Sequence, residues 1–260
     1  MRDYAYDAIV GFIRETVEGS GADGAVVAIS GGIDSALVMR LCCDALGSGR
    51  VHALLLPDTD VHGKDEKDAA EYASSLGVSV RRIPIHNHVS LMAGAIGATD
   101  RKVIGNMKAR VRMVFLYAVA NTLNLRAAGT GNKSELLTGY FTKYGDGGVD
   151  FLPIGDLYKT EVRELAAMLK LPPAFLEKSP SAGLWEGQTD EEELGLPYEQ
   201  LDSILLSLEN HLSASEIANG SGIPLNVVDR VIAMVAASRH KRAAAPIPRI
   251  GIRTASAEWL

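Results

Sequence analysis

The stretch Ala25-Val26-Val27-Ala28-Ile29-Ser30-Gly31-Gly32-Ile33-Asp34-Ser35 runs from unbroken apolar residues through a glycine turn into a helical pattern. Five apolar residues without alternation are what a strand buried on both faces of a parallel sheet requires. The paired glycines permit backbone angles and close approaches that a side chain forbids. A helix predicted over residues 35–46 begins at the turn. Its unpaired N–H groups and partial positive charge then face whatever the turn holds. Strand, Ser-Gly-Gly-Xaa-Asp-Ser and helix together predict an anion site, with Ser30 and Ser35 as added hydroxyl donors. Asp34 is a poor partner for phosphate, since like charges repel, but a good one for Mg²⁺, a hard cation that takes oxygen ligands. The turn lacks the Lys of Gly-x-x-x-x-Gly-Lys-Ser/Thr, which favours binding of a whole pyrophosphate unit over γ-phosphate transfer. The alternative is a plain strand-to-helix turn with Asp34 as a cap.

The flanking sequence supplies a fold. Ala5, Ile9, Phe12, Ile13 and Val17 recur at helical spacing before the strand. After it, apolar runs over 51–56, 78–85 and 125–128 read as strands, and patterns over 66–76 and 106–121 as helices. Strands alternating with helices, without hairpin signals, predict an α/β fold with a doubly wound parallel sheet. Such a sheet binds ligands at the carboxyl ends of its strands, where the turns after Ile29 and Ala128 fall. Residues 129–155 are rich in Gly, Thr, Lys and Asp and show little periodicity. Helices are predicted over 159–170, 196–208 and 225–238, with a polar loop over 178–193. No repeat or linker interrupts the chain, so residues 1–260 read as a single domain with a helical C-terminal portion.

The bulk properties narrow the function classes. The chain has 260 residues, 47% of them hydrophobic, and a formal net charge of −6. No apolar run approaches a membrane span, and no basic-then-apolar leader opens the sequence. The acidic balance argues against a nucleic-acid partner. Cys42 and Cys43 are adjacent and read as small buried side chains on a helix, with no disulfide framework. A cytoplasmic address is expected.

The segment Ser30-Gly31-Gly32-Ile33-Asp34-Ser35 resembles the signature of the N-type ATP pyrophosphatases, the PP-loop enzymes with an adenine nucleotide alpha hydrolase-like fold. Further motifs resemble the NAD synthetase family in its order. They are Gly105-Asn106-Met107-Lys108-Ala109-Arg110-Val111-Arg112-Met113, Gly129-Thr130-Gly131-Asn132-Lys133-Ser134-Glu135 and Thr138-Gly139-Tyr140-Phe141-Thr142-Lys143-Tyr144-Gly145-Asp146-Gly147. Lys159-Thr160-Glu161-Val162, Lys178-Ser179-Pro180-Ser181-Ala182 and His240-Lys241-Arg242 follow. The resemblance implies a ligase of NAD biosynthesis that turns deamido-NAD, ATP and ammonia into NAD, AMP and pyrophosphate through an acyl adenylate. It also implies Mg²⁺ and a homodimer. The phosphate turn begins about thirty residues into the chain, which leaves no room before it for the glutamine amidotransferase domain of the fused family members. Free ammonia is therefore the expected nitrogen donor.

Carried over by residue, the resemblance implies that Ala28, Ile29, Ser30, Gly31, Gly32, Ile33, Asp34 and Ser35 cradle ATP, with Thr130, Lys159 and Ser181 as further contacts. Asp34 and Glu135 would hold Mg²⁺. Arg110, Lys143, Asp150, His240 and Lys241 would hold deamido-NAD. Asp34, Lys159 and Lys143 are the catalytic candidates. Each has a plainer reading. Arg110 and Arg112 flank the apolar stripe of Met107, Val111, Val114, Phe115 and Ala118 as solvated charge would. That stripe suits a partner helix or an intrachain core equally. Glu135 suits the first turn of a helix, Lys143 and Lys159 a polar surface, Asp150 a turn, and the basic triplet a helix end. Rival functions are a PP-loop amide-forming ligase with another carboxylate substrate, a tRNA-modifying pyrophosphatase and a passive nucleotide-binding module.

Overall fold

Helix α1 (Ala5–Gly19) buries Ala5, Ile13 and Val17 and leads into β1 (Gly24–Ala28). Then come α2 (Ile33–Leu46), β2 (Val51–Leu55), α3 (Lys64–Ser75), β3 (Ser79–Arg82), α4 (His86–Ile96), α5 (Arg101–Thr122) and β4 (Leu125–Ala128). The structure is a computed structural model that describes residues 4–59, 63–181, 183–185, 187–248 and 250. Asp60, Val61 and His62 of the variable segment after β2, and Ala182 of the Lys178 motif, lie outside the described residues. So does most of the tail after Pro248.

The strands are parallel in the order β3-β2-β1-β4. Val26 of β1 sits opposite His52 of β2 and Ala127 of β4. Burial on both faces accounts for the unbroken apolar run. On one face, Ala25 and Val27 pack with Ile13, Val17, Leu37 and Leu41. On the other, Val26, Leu54 and Ala127 pack with Val89, Met107, Val111 and Leu116. A fully buried side chain such as Leu41 contributes about 1.5–3 kcal/mol through the area it removes from water. Cys42 and Cys43 are buried free thiols in α2, as expected.

Beyond β4 lie α6 (Lys133–Thr138), α7 (Lys159–Met168), α8 (Pro173–Leu176), α9 (Asp190–Leu194), α10 (Tyr198–Glu209), α11 (Ala214–Ser221) and α12 (Leu225–Ala237). Val162 and Leu165 of α7 and Phe175 of α8 return to the first face of the sheet. Tyr198, Leu201, Ile204, Val228 and Val231 build a separate core, the helical C-terminal portion. Chain order places β2 and β3 on one side of β1 and β4 on the other. The turns after β1 and β4 therefore open side by side at a topological switch point.

The structure changes some boundaries. α5 starts at Arg101, ahead of its apolar stripe, because Asp100 caps it by accepting from the Lys102 and Val103 N–H groups at 2.9 Å. β3 is shorter than 78–85, although Ile83 N and Ile85 N still donate to Leu55 O and Pro57 O at 2.8 Å. Residues 178–193 are not all loop, since α9 occupies their end. The short helices α6, α8 and α11 and the apolar α4 lie where the pattern showed no helical period. The stripe on α5 divides: Met107 and Val111 are buried against the sheet with Phe115 packed beside them, while Val114 and Ala118 are exposed.

Candidate active site

The turn after β1 is shaped before any ligand enters. Gly31 has φ +79°, and a Cβ there would fall 2.5 Å from the carbonyl oxygen of Asp65, so glycine is required twice over. Ser30 Oγ accepts from Gly32 N at 3.3 Å. Ser35 Oγ donates to Gly32 O at 3.0 Å and accepts from Ser30 N at 3.2 Å. The buried Ser35 hydroxyl is thus turned inward to hold the loop rather than offered to a ligand. α2 begins at Ile33 after Gly32, with no side chain capping its first N–H groups. An uncapped helix start beside Ala28, Ile29 and the glycine turn has the unpaired N–H groups that suit an anion.

Asp34 stands in the first turn of α2, and two groups from later in the chain converge on it. Asn132 Nδ2 donates to its Oδ1 at 3.0 Å, and Lys159 Nζ pairs with its Oδ2 at 2.5 Å. Lys159, the first residue of α7, is 2% exposed, and its ammonium lies 5.4 Å from the centre of the Tyr198 ring. Burial works against its charge. The Asp34 and Glu135 carboxylates outweigh burial and hold Lys159 above the ordinary lysine value. Glu135 behaves oppositely. Although part of the residue keeps solvent contact, its carboxyl sits in packed surroundings, and burial followed by repulsion from Asp34 pushes it well above the ordinary glutamate value. A cation arriving between the two carboxylates would relieve that repulsion.

Lys159 is held from behind. Its N–H donates to Ser134 Oγ at 3.0 Å, Ser134 Oγ donates to Asp202 Oδ1 at 2.5 Å, and Thr160 N donates to Asp202 Oδ2 at 2.9 Å. These bonds tie α6, α7 and α10 together and satisfy the first N–H groups of α7. Gly129, after β4, admits Leu152 and Val149 so closely that a Cβ would stand 2.6 Å from each. That packing sets Thr130 at the mouth of the second turn.

The segment before α9 lies over the first turn. Lys178 Nζ donates to Gly31 O at 3.2 Å and pairs with Asp65 at 2.8 Å. Lys108 Nζ donates to Leu184 O at 2.7 Å, and Arg101 stacks 4.5 Å above Trp185. Ser181, between these anchors, is exposed and accepts from Gly183 N at 3.1 Å. Asp190, at the start of α9, is 3% exposed. Its Oδ2 accepts from the Tyr198 hydroxyl at 3.1 Å, while its Oδ1 has no partner. Burial raises its carboxyl above the ordinary aspartate value, against the pull of Lys159. The folded state therefore binds more protons than the unfolded chain, and stability falls as pH climbs above 3.8. Asp190→Asn should remove this fall. Its melting temperature relative to wild type should rise from about pH 4 and then level off; a pH-independent difference in thermal melts would contradict this.

A second group gathers around residues 139–144. Arg110 donates to Lys143 O at 3.4 Å, and Lys143 Nζ donates to His240 O at 2.6 Å. Lys241 Nζ donates to Gly139 O and Phe141 O, both at 2.7 Å. Burial, partly offset by Asp146, holds Lys241 below the ordinary lysine value. Arg242 donates to Leu136 O at 2.9 Å and Leu137 O at 2.7 Å, carbonyls in the last turn of α6. Arg242 also donates to Val235 O at 3.1 Å in the last turn of α12, so it complements the end of its own preceding helix and that of a helix a hundred residues earlier. Asp150 is placed apart: it accepts from Tyr117 Oη at 3.0 Å and from Ala127 N at 2.8 Å, closing the outer edge of β4.

The structure thus joins Asp34, Glu135 and Lys159, and separately joins Arg110, Lys143, His240 and Lys241. Asn132, Ser134, Asp190, Tyr198 and Asp202 were not read from the sequence as site residues. Asn132-Lys133-Ser134-Glu135 does carry a readable cap signal, a capping residue followed three later by Glu. Asp190 carries none, because its partners come from other elements. Among the described residues no group of three or more His, Cys, Asp or Glu could hold a metal ion. Two carboxylates beside an anion cradle still fit Mg²⁺, which is bound through one or two carboxylates plus substrate phosphates.

Comparison with known proteins identifies the family. The family model described as NAD synthase matches residues 5–245. The NH(3)-dependent NAD(+) synthetase of Archaeoglobus fulgidus is 49% identical over 245 residues, covering 94% of this chain and 96% of that one. Among solved structures, the NMN synthetase from Francisella tularensis superposes with a TM-score of 0.84 at 33% identity, over 96% of this chain and 99% of that one. The NH3-dependent NAD synthetase from Campylobacter jejuni gives 0.82 at 31% identity, over 95% and 100%. This chain belongs to the NAD synthase family.

Proposed function

We propose that this protein makes NAD by ATP-dependent amidation of deamido-NAD with ammonia. The observation that carries the reading is the junction of Asp34, Lys159 and the uncapped α2 terminus at the switch point of a chain in this family. In the first step a carboxylate oxygen of the nicotinate attacks the α-phosphorus of ATP; the bond to the bridging oxygen breaks and pyrophosphate leaves. In the second, ammonia attacks the acyl carbon, AMP leaves with the bonding electrons, and the nitrogen loses a proton to form the amide. No enzyme nucleophile is needed, so catalysis rests on positioning and charge.

The residues divide accordingly. Ala28, Ile29, Ser30, Gly31, Gly32, Ile33, Asp34 and Ser35 form the ATP cradle, joined by Thr130 and Ser181. Lys159 neutralises charge at the phosphates. Asp34 and Glu135 hold Mg²⁺, which when bound supplies positive charge to the phosphate oxygens. Arg110, Lys143, Asp150, His240 and Lys241 receive deamido-NAD, with Lys143 also near the reacting centre. The segment carrying Ser181 covers the cradle and excludes water from the acyl adenylate. No helix among the described residues is long and apolar enough to cross a membrane, and use of ATP fits a cytoplasmic enzyme. Leu91, Ile96, Val103 and Val114 leave an exposed apolar side on α4 and α5, which suits a homodimer.

The second reading keeps the chemistry and changes the acceptor to nicotinate mononucleotide, because one similar structure is named an NMN synthetase. Purified protein with ATP, Mg²⁺ and ammonium should form NAD, AMP and pyrophosphate in equal amounts from deamido-NAD. It should turn over the mononucleotide slowly, and glutamine should not replace ammonium. Preference for the mononucleotide would select the second reading; no NAD at all would defeat the first.

A further inference from the structure

We infer that Asn132 is a positioning residue that fixes the two metal-binding carboxylates, Asp34 and Glu135, in one relation to each other. The inference rests on the proposed Mg²⁺ role of that pair.

Asn132 is fully buried between β4 and α6, and its hydrogen bonds reach both carboxylate residues. Its Oδ1 accepts from Glu135 N at 3.0 Å, and its own N–H donates to Glu135 Oε2 at 3.1 Å. These two bonds form a capping box, which sets the rotamer of Glu135. A box needs only an acceptor at the cap, and Ser, Thr or Asp would serve as well. What asparagine adds is a donor. Nδ2 spends it on Asp34 Oδ1 at 3.0 Å, a residue 98 positions earlier on another helix.

That bond has a physical task. Lys159 pulls on the other oxygen of Asp34. Held by the ammonium alone, the carboxylate is free to rotate until both oxygens face the lysine, leaving no fixed lone pair toward the cradle. The amide takes one oxygen and sets the plane of the group. One residue thus orients Asp34 through its side-chain amide and Glu135 through its backbone N–H and the cap, across the gap between the two strand-end turns. Residues that orient metal ligands from behind typically govern affinity by 10–100-fold.

Asn132→Ser and Asn132→Thr keep an acceptor for the Glu135 N–H but cannot reach Asp34 with a donor. The readout is binding of Mn²⁺, a spectroscopic stand-in for Mg²⁺, followed by electron paramagnetic resonance of the free ion in the presence of α,β-methylene-ATP. With unchanged melting temperatures, the Ser and Thr variants should bind Mn²⁺ about 10–100-fold more weakly than wild type. Asp34→Asn sets the reference, and adding Asn132→Ser to it should cause no further loss. If Asp34→Asn binds Mn²⁺ like wild type, the metal reading itself fails. If Asp34→Asn weakens binding but the folded Ser or Thr variant does not, the inference is overturned. Additive losses in the double variant overturn it equally.

Discussion

Lys159→Met should cost both turnover and stability. Lys159 is 2% exposed and faces Asp34 at 2.5 Å, so methionine keeps most of the volume but strands two carboxylates around an apolar group. Breaking a buried pair by removing one partner costs about 3–5 kcal/mol. For a chain of this length that corresponds to a melting temperature lower by on the order of 10 °C. Mg²⁺ with ATP should restore part of the loss, because a divalent cation can replace the missing charge. Turnover should fall by about 10²–10³, the usual effect of removing one preorganised charge partner. Calorimetry with and without Mg²⁺–ATP, beside the NAD-forming assay, checks both. A variant that melts like wild type without ligand would show that Lys159 does not neutralise the carboxylates; one that turns over normally would remove it from the mechanism.

Asp34→Asn separates the metal from the lysine. The amide keeps the shape and can still accept from Asn132, but it no longer offers an anion to Mg²⁺. Lys159 then has Glu135 as its nearest carboxylate, and Glu135, freed from the repulsion of Asp34, should ionise more readily. The fold should survive with a lowered melting temperature, since buried Lys159 loses its closest anionic partner. Turnover should fall by about 10³, since metal charge at the phosphates contributes several kcal/mol and each 1.36 kcal/mol is tenfold in rate. Steady-state rates at saturating ATP over a wide Mg²⁺ range are the measurement. Near-normal rates at every Mg²⁺ concentration would exclude Asp34 as a metal ligand.

Much of this was legible in the residues. The apolar run of β1 reads as a two-sided strand, and the glycine turn with Asp34 falls at its carboxyl end. Glu135 and Lys159 followed from family motifs, and the structure brings both to Asp34. Other parts were not legible because their meaning depends on distant partners. Asp190 sits in an acidic run that reads as solvated surface, yet the fold buries it against Tyr198. Asp202 looks like one more helix acid until Ser134 and Thr160 arrive from 68 and 42 residues away. Nothing in the sequence marks what holds Asp150 and Lys241: Asp150 accepts from Tyr117 Oη and Ala127 N, and Lys241 donates to Gly139 O and Phe141 O.

The last of those contacts has a consequence for the order in which the molecule is finished. Lys241 and Arg242 fasten the 136–141 stretch from 102 and 106 residues downstream. A ribosome adding about 5–20 residues per second needs roughly 5–20 s to reach them after that stretch has emerged. Throughout this interval nothing clasps the second loop, and at its start α7 and α8 have still to cover the first face of the sheet. Release before residue 241 would leave a polypeptide whose 136–141 stretch lacks both of these fasteners.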